Sequence, residues 1–115
     1  MKDINKMGVY SIINTINNKS YIGSTTMTIK KRTGHHISSL RANKHKNAHL
    51  QHAWNKYGEE NFEIIVLENV LEKENVLKRE QSFLDCEDFE DLYNINPLAS
   101  GTPNMSLETI EKRRQ

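Results

Sequence analysis

Glu80 stands three or four residues from each of Val76, Leu77, Phe83 and Leu84, a spacing that sets its carboxylate among the core contacts of a helix. A carboxylate in that position must be paired or bound to a metal ion, with a salt bridge or a place at the helix edge as the structural alternative. Arg32 and His36 lie four apart, on one face of a helix, and together suit the oxygens of a single phosphate. A solvated place beside Lys30 and Lys31 is the plainer reading of Arg32, and a satisfied, half-buried imidazole that of His36. Two phenols complete the set: Tyr10 ends Gly8-Val9-Tyr10 and Tyr21 begins Tyr21-Ile22-Gly23. The glycines at the outer ends of these triplets permit close approach of another backbone or of a ligand. His35, His45, His49 and His52 invite a metal reading, with His45 and His49 four apart, but no Cys or carboxylate lies near enough for a structural zinc site. Cys86 is the single cysteine and has no partner for an internal disulfide.

These side chains need elements to position them. Val9, Tyr10, Ile12 and Ile13, then an Asn-rich stretch through Asn17 and Asn18, then Tyr21 and Ile22 predict a β-hairpin. Alternation puts Tyr10 on one face with Ile12 and Asn14, and Val9 on the other with Ser11 and Ile13. Ser24, Thr25, Thr26 and Thr28 offer capping hydroxyls to a helix from about Ile29 to Arg41, whose inner stripe is Ile29, Thr33, His36, Ile37 and Leu40. Gly34 weakens that helix by roughly 1 kcal/mol relative to alanine, which calls for either tight packing or a functional approach at that point. Polar Asn43 to Asn47 leads to a short second helix with Leu50, Ala53, Trp54 and Tyr57, capped by Gly58. Asn61 to Leu67 reads as a third strand pairing with the hairpin, and Leu71 to Leu84 as a third helix. Leu92 to Pro97 returns the chain in extended or turn conformation. The expected fold is α+β: a small, mainly antiparallel three-stranded sheet flanked by about three helices.

The length of 115 residues allows one modest core. No apolar run is long enough to span a bilayer and the first residues are polar, so an intracellular protein is expected, in the cytoplasm of a host cell or in the nucleus if a eukaryotic virus is the source. The net charge of +1 conceals a division along the chain. From Thr28 to Lys56 there are Lys30, Lys31, Arg32, Arg41, Lys44, Lys46 and Lys56, all five histidines, and no acid. From Glu59 to Asp91 twelve acids face Lys73, Lys78 and Arg79. A long stretch without a carboxylate suits a polyanion, phosphate backbones first, whereas the acidic half solubilises exposed faces or steers DNA to one side.

In this order the residues resemble the GIY-YIG nuclease family. Gly8-Val9-Tyr10 and Tyr21-Ile22-Gly23 stand for the two triplets, Arg32 and His36 for the helix motif, Glu80 for the metal ligand, and Asn94 for the late asparagine, across residues 8 to 97. Phage and intron-encoded homing endonucleases are the branch most resembled, through His45 and through Trp54-Asn55-Lys56-Tyr57-Gly58 before Asn61-Phe62-Glu63. Val9 replaces the usual isoleucine, and one extra residue separates Tyr21 from Arg32.

The resemblance implies hydrolysis of a DNA phosphodiester with one Mg²⁺ or Mn²⁺ on Glu80. Arg32 would donate to the phosphoryl oxygens, and Tyr10 is the candidate general base, its own proton passing to His36 or a neighbouring phenol. Tyr21 would orient water or phosphate, and His36 would bond a phosphate or share the proton. Asn94 braces the site, and Gly23, Lys30, Lys31, His45 and Asn94 form the expected substrate-binding set. Double-stranded DNA is the expected partner of a monomer with no membrane role. A structure-specific repair or restriction nuclease of the same fold, and a noncatalytic DNA-binding module, are the alternatives. Residues 1–97 form the expected nuclease domain, and 98–115 a linker and the start of a DNA-binding helix of the kind found in longer chains.

Overall fold

The computed structural model describes residues 2–95, so the expected linker and helix at 98–115 lie outside the described residues. Three strands, β1 (Gly8–Asn14), β2 (Ser20–Thr25) and β3 (Phe62–Asn69), form an antiparallel sheet in the order β2-β1-β3. The hairpin is the expected one. Asn18 takes the left-handed conformation at φ 63°, and the Asn17 side chain accepts from the amide of Lys19 to hold the turn.

Because β1 is central, both of its faces are covered. Tyr10 and Ile12 join Ile29, Leu40, Leu50, Ala53, Trp54 and Tyr93 in one core, while Val9 joins Ile22, Val70, Val76, Leu84 and Leu92 in the other. The alternation read from the sequence assigns these faces correctly. A bulge between Val9 and Tyr10, where β1 meets β3, interrupts the ladder beside the phenol.

Helix α1 (Ile29–Arg41) begins at Thr28, whose side chain accepts from the amide of Lys31. Ile29, Thr33, His36 and Leu40 are its buried positions. Gly34 is exposed, and a Cβ added there would meet nothing within 4 Å, so tight packing is not what places glycine at this point. Helix α2 (Ala48–Tyr57) is capped by Asn47 and ends at Gly58, which takes φ 91°, a conformation that favours glycine. Helix α3 (Val76–Cys86) starts five residues later than expected. Leu71, placed inside the helix by its apolar side chain, is 88% exposed, and Lys73–Asn75 form a 3-10 turn that leads from the sheet to the helix. Leu77, expected on the inner stripe, faces outward; Val76, Glu80 and Leu84 are the buried positions.

After a further 3-10 turn (Phe89–Asp91) the chain docks on the outer edge of β2. Leu92 bridges to Ser20, the amide of Tyr93 donates to the Ser20 carbonyl, and Asn94 reaches Ile22. Among the described residues no helix is long and apolar enough to cross a membrane.

Candidate active site

β2 is an edge strand, and the site is assembled around that edge from both faces of the sheet. Tyr10 sits opposite Gly23 in the register. A Cβ on Gly23 would lie 2.5 Å from the Tyr10 hydroxyl, so the phenol reaches across the edge strand only because its neighbour there has no side chain. Gly23, expected among the substrate-binding residues, has this internal task in the structure.

On the Tyr10 face, α1 delivers His36, 4% exposed, whose Nε2 lies 2.6 Å from the Tyr10 hydroxyl. Its Nδ1 lies 2.7 Å from Nε2 of His45, and the backbone N–H of Asn47 donates to His45 Nδ1 at 3.0 Å. The two imidazole planes are within 21° of parallel. Both nitrogens of His36 are thus engaged by protein groups, which corrects the expectation that His36 and Arg32 together grip one phosphate. Tyr21 packs edge-on against both imidazoles.

From the opposite face α3 delivers Glu80, 7% exposed. Ser24, also on that face, donates its hydroxyl to Glu80 Oε1 at 2.6 Å. Expected only as a possible helix cap, Ser24 is the site residue that the sequence reading missed. Its place directly after the second triplet, and the alternation of Ile22 with Ser24, are the signals that point to it.

One guanidinium, that of Arg32, acts on both phenols and on the imidazoles of His36 and His45. The Tyr10 phenol is pushed well above its ordinary range by burial first, then by Tyr21, against which Arg32 pulls down; Glu80 adds a smaller upward push. Tyr21 is raised by burial and then by Glu80, again opposed by Arg32. Burial, then Arg32 and the neighbouring imidazoles, push His36 down to about 3. His45 is lowered by burial and by Arg32. The imidazoles are therefore neutral at neutral pH.

Arg32, Tyr21, His36 and His45 line an open concavity of about 290 Å³ with His35, Ser39, Lys44, Lys46 and Asn47, and no carboxylate is among its lining residues. A negatively charged ligand suits such a surface. Lys30 and Lys31, expected to bind substrate, are exposed on the first turn of α1 and do not line it. Asn94 is a brace: its side-chain oxygen accepts from the Ile22 amide and its NH₂ donates to the Ile22 carbonyl, both at 2.9 Å. That double contact occupies the amide group with the edge strand, in place of the substrate contact expected of it.

Among the described residues no group of three His, Cys, Asp or Glu side chains could cage a metal ion. A buried carboxylate oriented by a serine hydroxyl fits a hard cation that keeps most of its ligands as water and phosphate oxygens, as Mg²⁺ does.

The GIY-YIG catalytic domain matches residues 6–94. The chain is 34% identical over 116 residues to intron-associated endonuclease 1 of Enterobacteria phage T4, covering 96% of this chain and 46% of that protein. It is 32% identical over 115 residues to probable intron-encoded endonuclease 1 of Neurospora crassa, covering 95% of this chain and 36% of that one. The chain spans less than half the length of these relatives. The solved catalytic domain of the homing endonuclease I-TevI superposes with a TM-score of 0.72 at 34% identity, over 79% of this chain and 99% of that domain. A glutamate-to-alanine mutant of that catalytic domain gives the same TM-score over 80% and 95%. With the matched residues running from just before Tyr10 to Asn94, the chain belongs to the GIY-YIG catalytic domain family.

Proposed function

We propose that this domain is a divalent-metal-dependent DNA endonuclease of the homing type, which hydrolyses a phosphodiester with one bound Mg²⁺ or Mn²⁺. The observation that carries the reading is the meeting of Tyr10, Tyr21, Arg32 and His36 with a serine-held Glu80 around one edge strand. Double-stranded DNA is the substrate, met by a monomer. The substrate reading draws support from the carboxylate-free concavity and from the relatives' being named endonucleases.

Glu80 would hold the cation, with Ser24 fixing the direction of its carboxylate. When bound, such a cation offsets negative charge on the scissile phosphate and on the leaving oxygen. Arg32 supplies a planar, permanently charged donor to the phosphoryl oxygens as charge develops. Tyr10 is the base for the attacking water. Its phenol is protonated in the resting domain, and the balance of charges around it decides when that changes. Arg32 favours the phenolate and the charged Glu80 carboxylate disfavours it, so the phenolate would be easier to form with a cation held on Glu80. Tyr21 stands beside the imidazoles to orient water or phosphate.

The test is cleavage of supercoiled plasmid by the purified chain with Mg²⁺, with Mn²⁺ and with chelator. Nicking that needs the ion, and its loss by about a hundredfold or more in a folded Glu80→Ala protein, is expected. Undiminished cleavage by folded Glu80→Ala, or by the wild type in chelator, would overturn the single-metal mechanism.

A further inference from the structure

A backbone N–H donates and cannot accept, so the contact from Asn47 to His45 Nδ1 identifies that nitrogen as a bare acceptor. A neutral His45 then carries its proton on Nε2, which points at His36 Nδ1, 2.7 Å away. His36 Nδ1 must in turn be the acceptor. The proton of a neutral His36 therefore sits on Nε2, facing the Tyr10 hydroxyl at 2.6 Å. The opposite tautomer of His36 would turn two N–H groups toward each other inside the protein, an arrangement that forfeits a hydrogen bond and desolvates both donors.

The anchor of this chain is firm. Asn47 caps α2 by accepting from the Leu50 amide, and its NH₂ donates to the Tyr93 carbonyl. The His45 amide donates to Gln51 Oε1, which ties the loop to the same helix.

We propose that His45 is a positioning residue: through the Asn47 amide it holds His36 in the Nε2–H tautomer, so that His36 donates to the Tyr10 oxygen and does not receive its proton. The proposal deepens the nuclease reading and rests on it for the role of Tyr10 as base. His36 is then a donor that stabilises a phenolate as it forms. The Tyr10 proton then leaves to an acceptor other than His36, an oxygen of the bound substrate, Tyr10 itself being 1% exposed. Of the two acceptors expected for that proton, His36 or a neighbouring phenol, this removes His36.

The proposal is tested by long-range ¹⁵N–¹H spectra of the labelled domain near neutral pH, without DNA or metal. A protonated Nε2 and a bare Nδ1 on both His36 and His45 are expected; Nδ1–H on either ring, or averaging between tautomers at His36, overturns the assignment. Next, His45→Phe should release His36 into mixed tautomers and lower kcat by about tenfold or more with KM little changed. His45→Gln, whose amide can accept from Asn47 and donate to His36, should restore both the tautomer and most of kcat. Equal loss of kcat in both variants with the His36 tautomer unmoved would overturn the positioning role. Since the spectra need no turnover, Nε2–H on both rings in a domain that cuts nothing supports the tautomer assignment and counts against the nuclease reading alone.

Discussion

At the scale of single residues, His36 links the site to stability. In the folded domain it resists protonation down to about 3, against 6.5 for an ordinary histidine. Between these values the unfolded chain takes up a proton that the folded chain refuses. Its contribution to stability is therefore complete above about 6.5 and is lost as pH falls toward 3, at up to about 1.4 kcal/mol per pH unit for one proton. His45 adds to the slope in the same direction. Thermal unfolding followed by circular dichroism should show Tm falling more steeply between pH 6.5 and about pH 4 in the wild type than in His36→Gln. Parallel curves would contradict the buried, neutral state of the imidazole. The strand and helix faces that carry Tyr10, Tyr21, Arg32, His36 and Glu80 were legible from their spacing, while it is the family resemblance that singles them out as one site. The contacts that govern them were less so. Ser24 meets Glu80 across 56 residues and the amide of Asn47 meets a loop histidine, and no local pattern specifies either pairing.

At the scale of elements, the hairpin, α1 and α2 follow the sequence closely because turn asparagines, Thr28, Asn47 and Gly58 mark their ends with side chains or conformations of their own. Helix α3 has no such mark. Asn75 makes no side-chain cap, so the apolar Leu71 and Leu77 suggest a longer helix and a wider stripe than the fold uses. The edge of β2 was also beyond local reading, since what covers it arrives some seventy residues later as Tyr93 and Asn94. Asn94 acts there as a short piece of strand, giving Ile22 both a donor and an acceptor. Asn94→Ala leaves two buried backbone groups without these partners, a cost of about 2–3 kcal/mol. Tm should fall by roughly 10 °C or more on that account. An unchanged Tm would mean that Ile22 does not depend on the brace.

At the scale of the whole molecule, the division of charge along the sequence is only partly a division in space: Glu59 pairs with Arg41 of α1, and Glu90 lines a hollow with His49, His52 and Lys56. The basic stretch supplies α1, α2 and the loop between them, and with Tyr21 it lines the concavity above the imidazoles. The acidic stretch supplies β3 and α3, and Glu80 is the acid it contributes to the interior; Glu68 is half-buried and paired with Arg79, and the other acids of that stretch are exposed. A polyanion approaching the molecule is thus drawn to the carboxylate-free concavity where Arg32 stands. Lys44 and Lys46 belong to the attractive face, lie on the surface and make no part of either core, so they can be changed without unfolding the domain. The double variant Lys44→Ala/Lys46→Ala, combined with Glu80→Ala to prevent cutting, should bind duplex DNA more weakly whatever its sequence. In a salt titration followed by fluorescence anisotropy, the slope of log Kd against log salt should shrink by about two, close to one unit for each phosphate contact removed. If the slope and Kd match those of Glu80→Ala alone, DNA does not cross this face, and the concavity above His36 and His45 is not where the phosphate backbone runs.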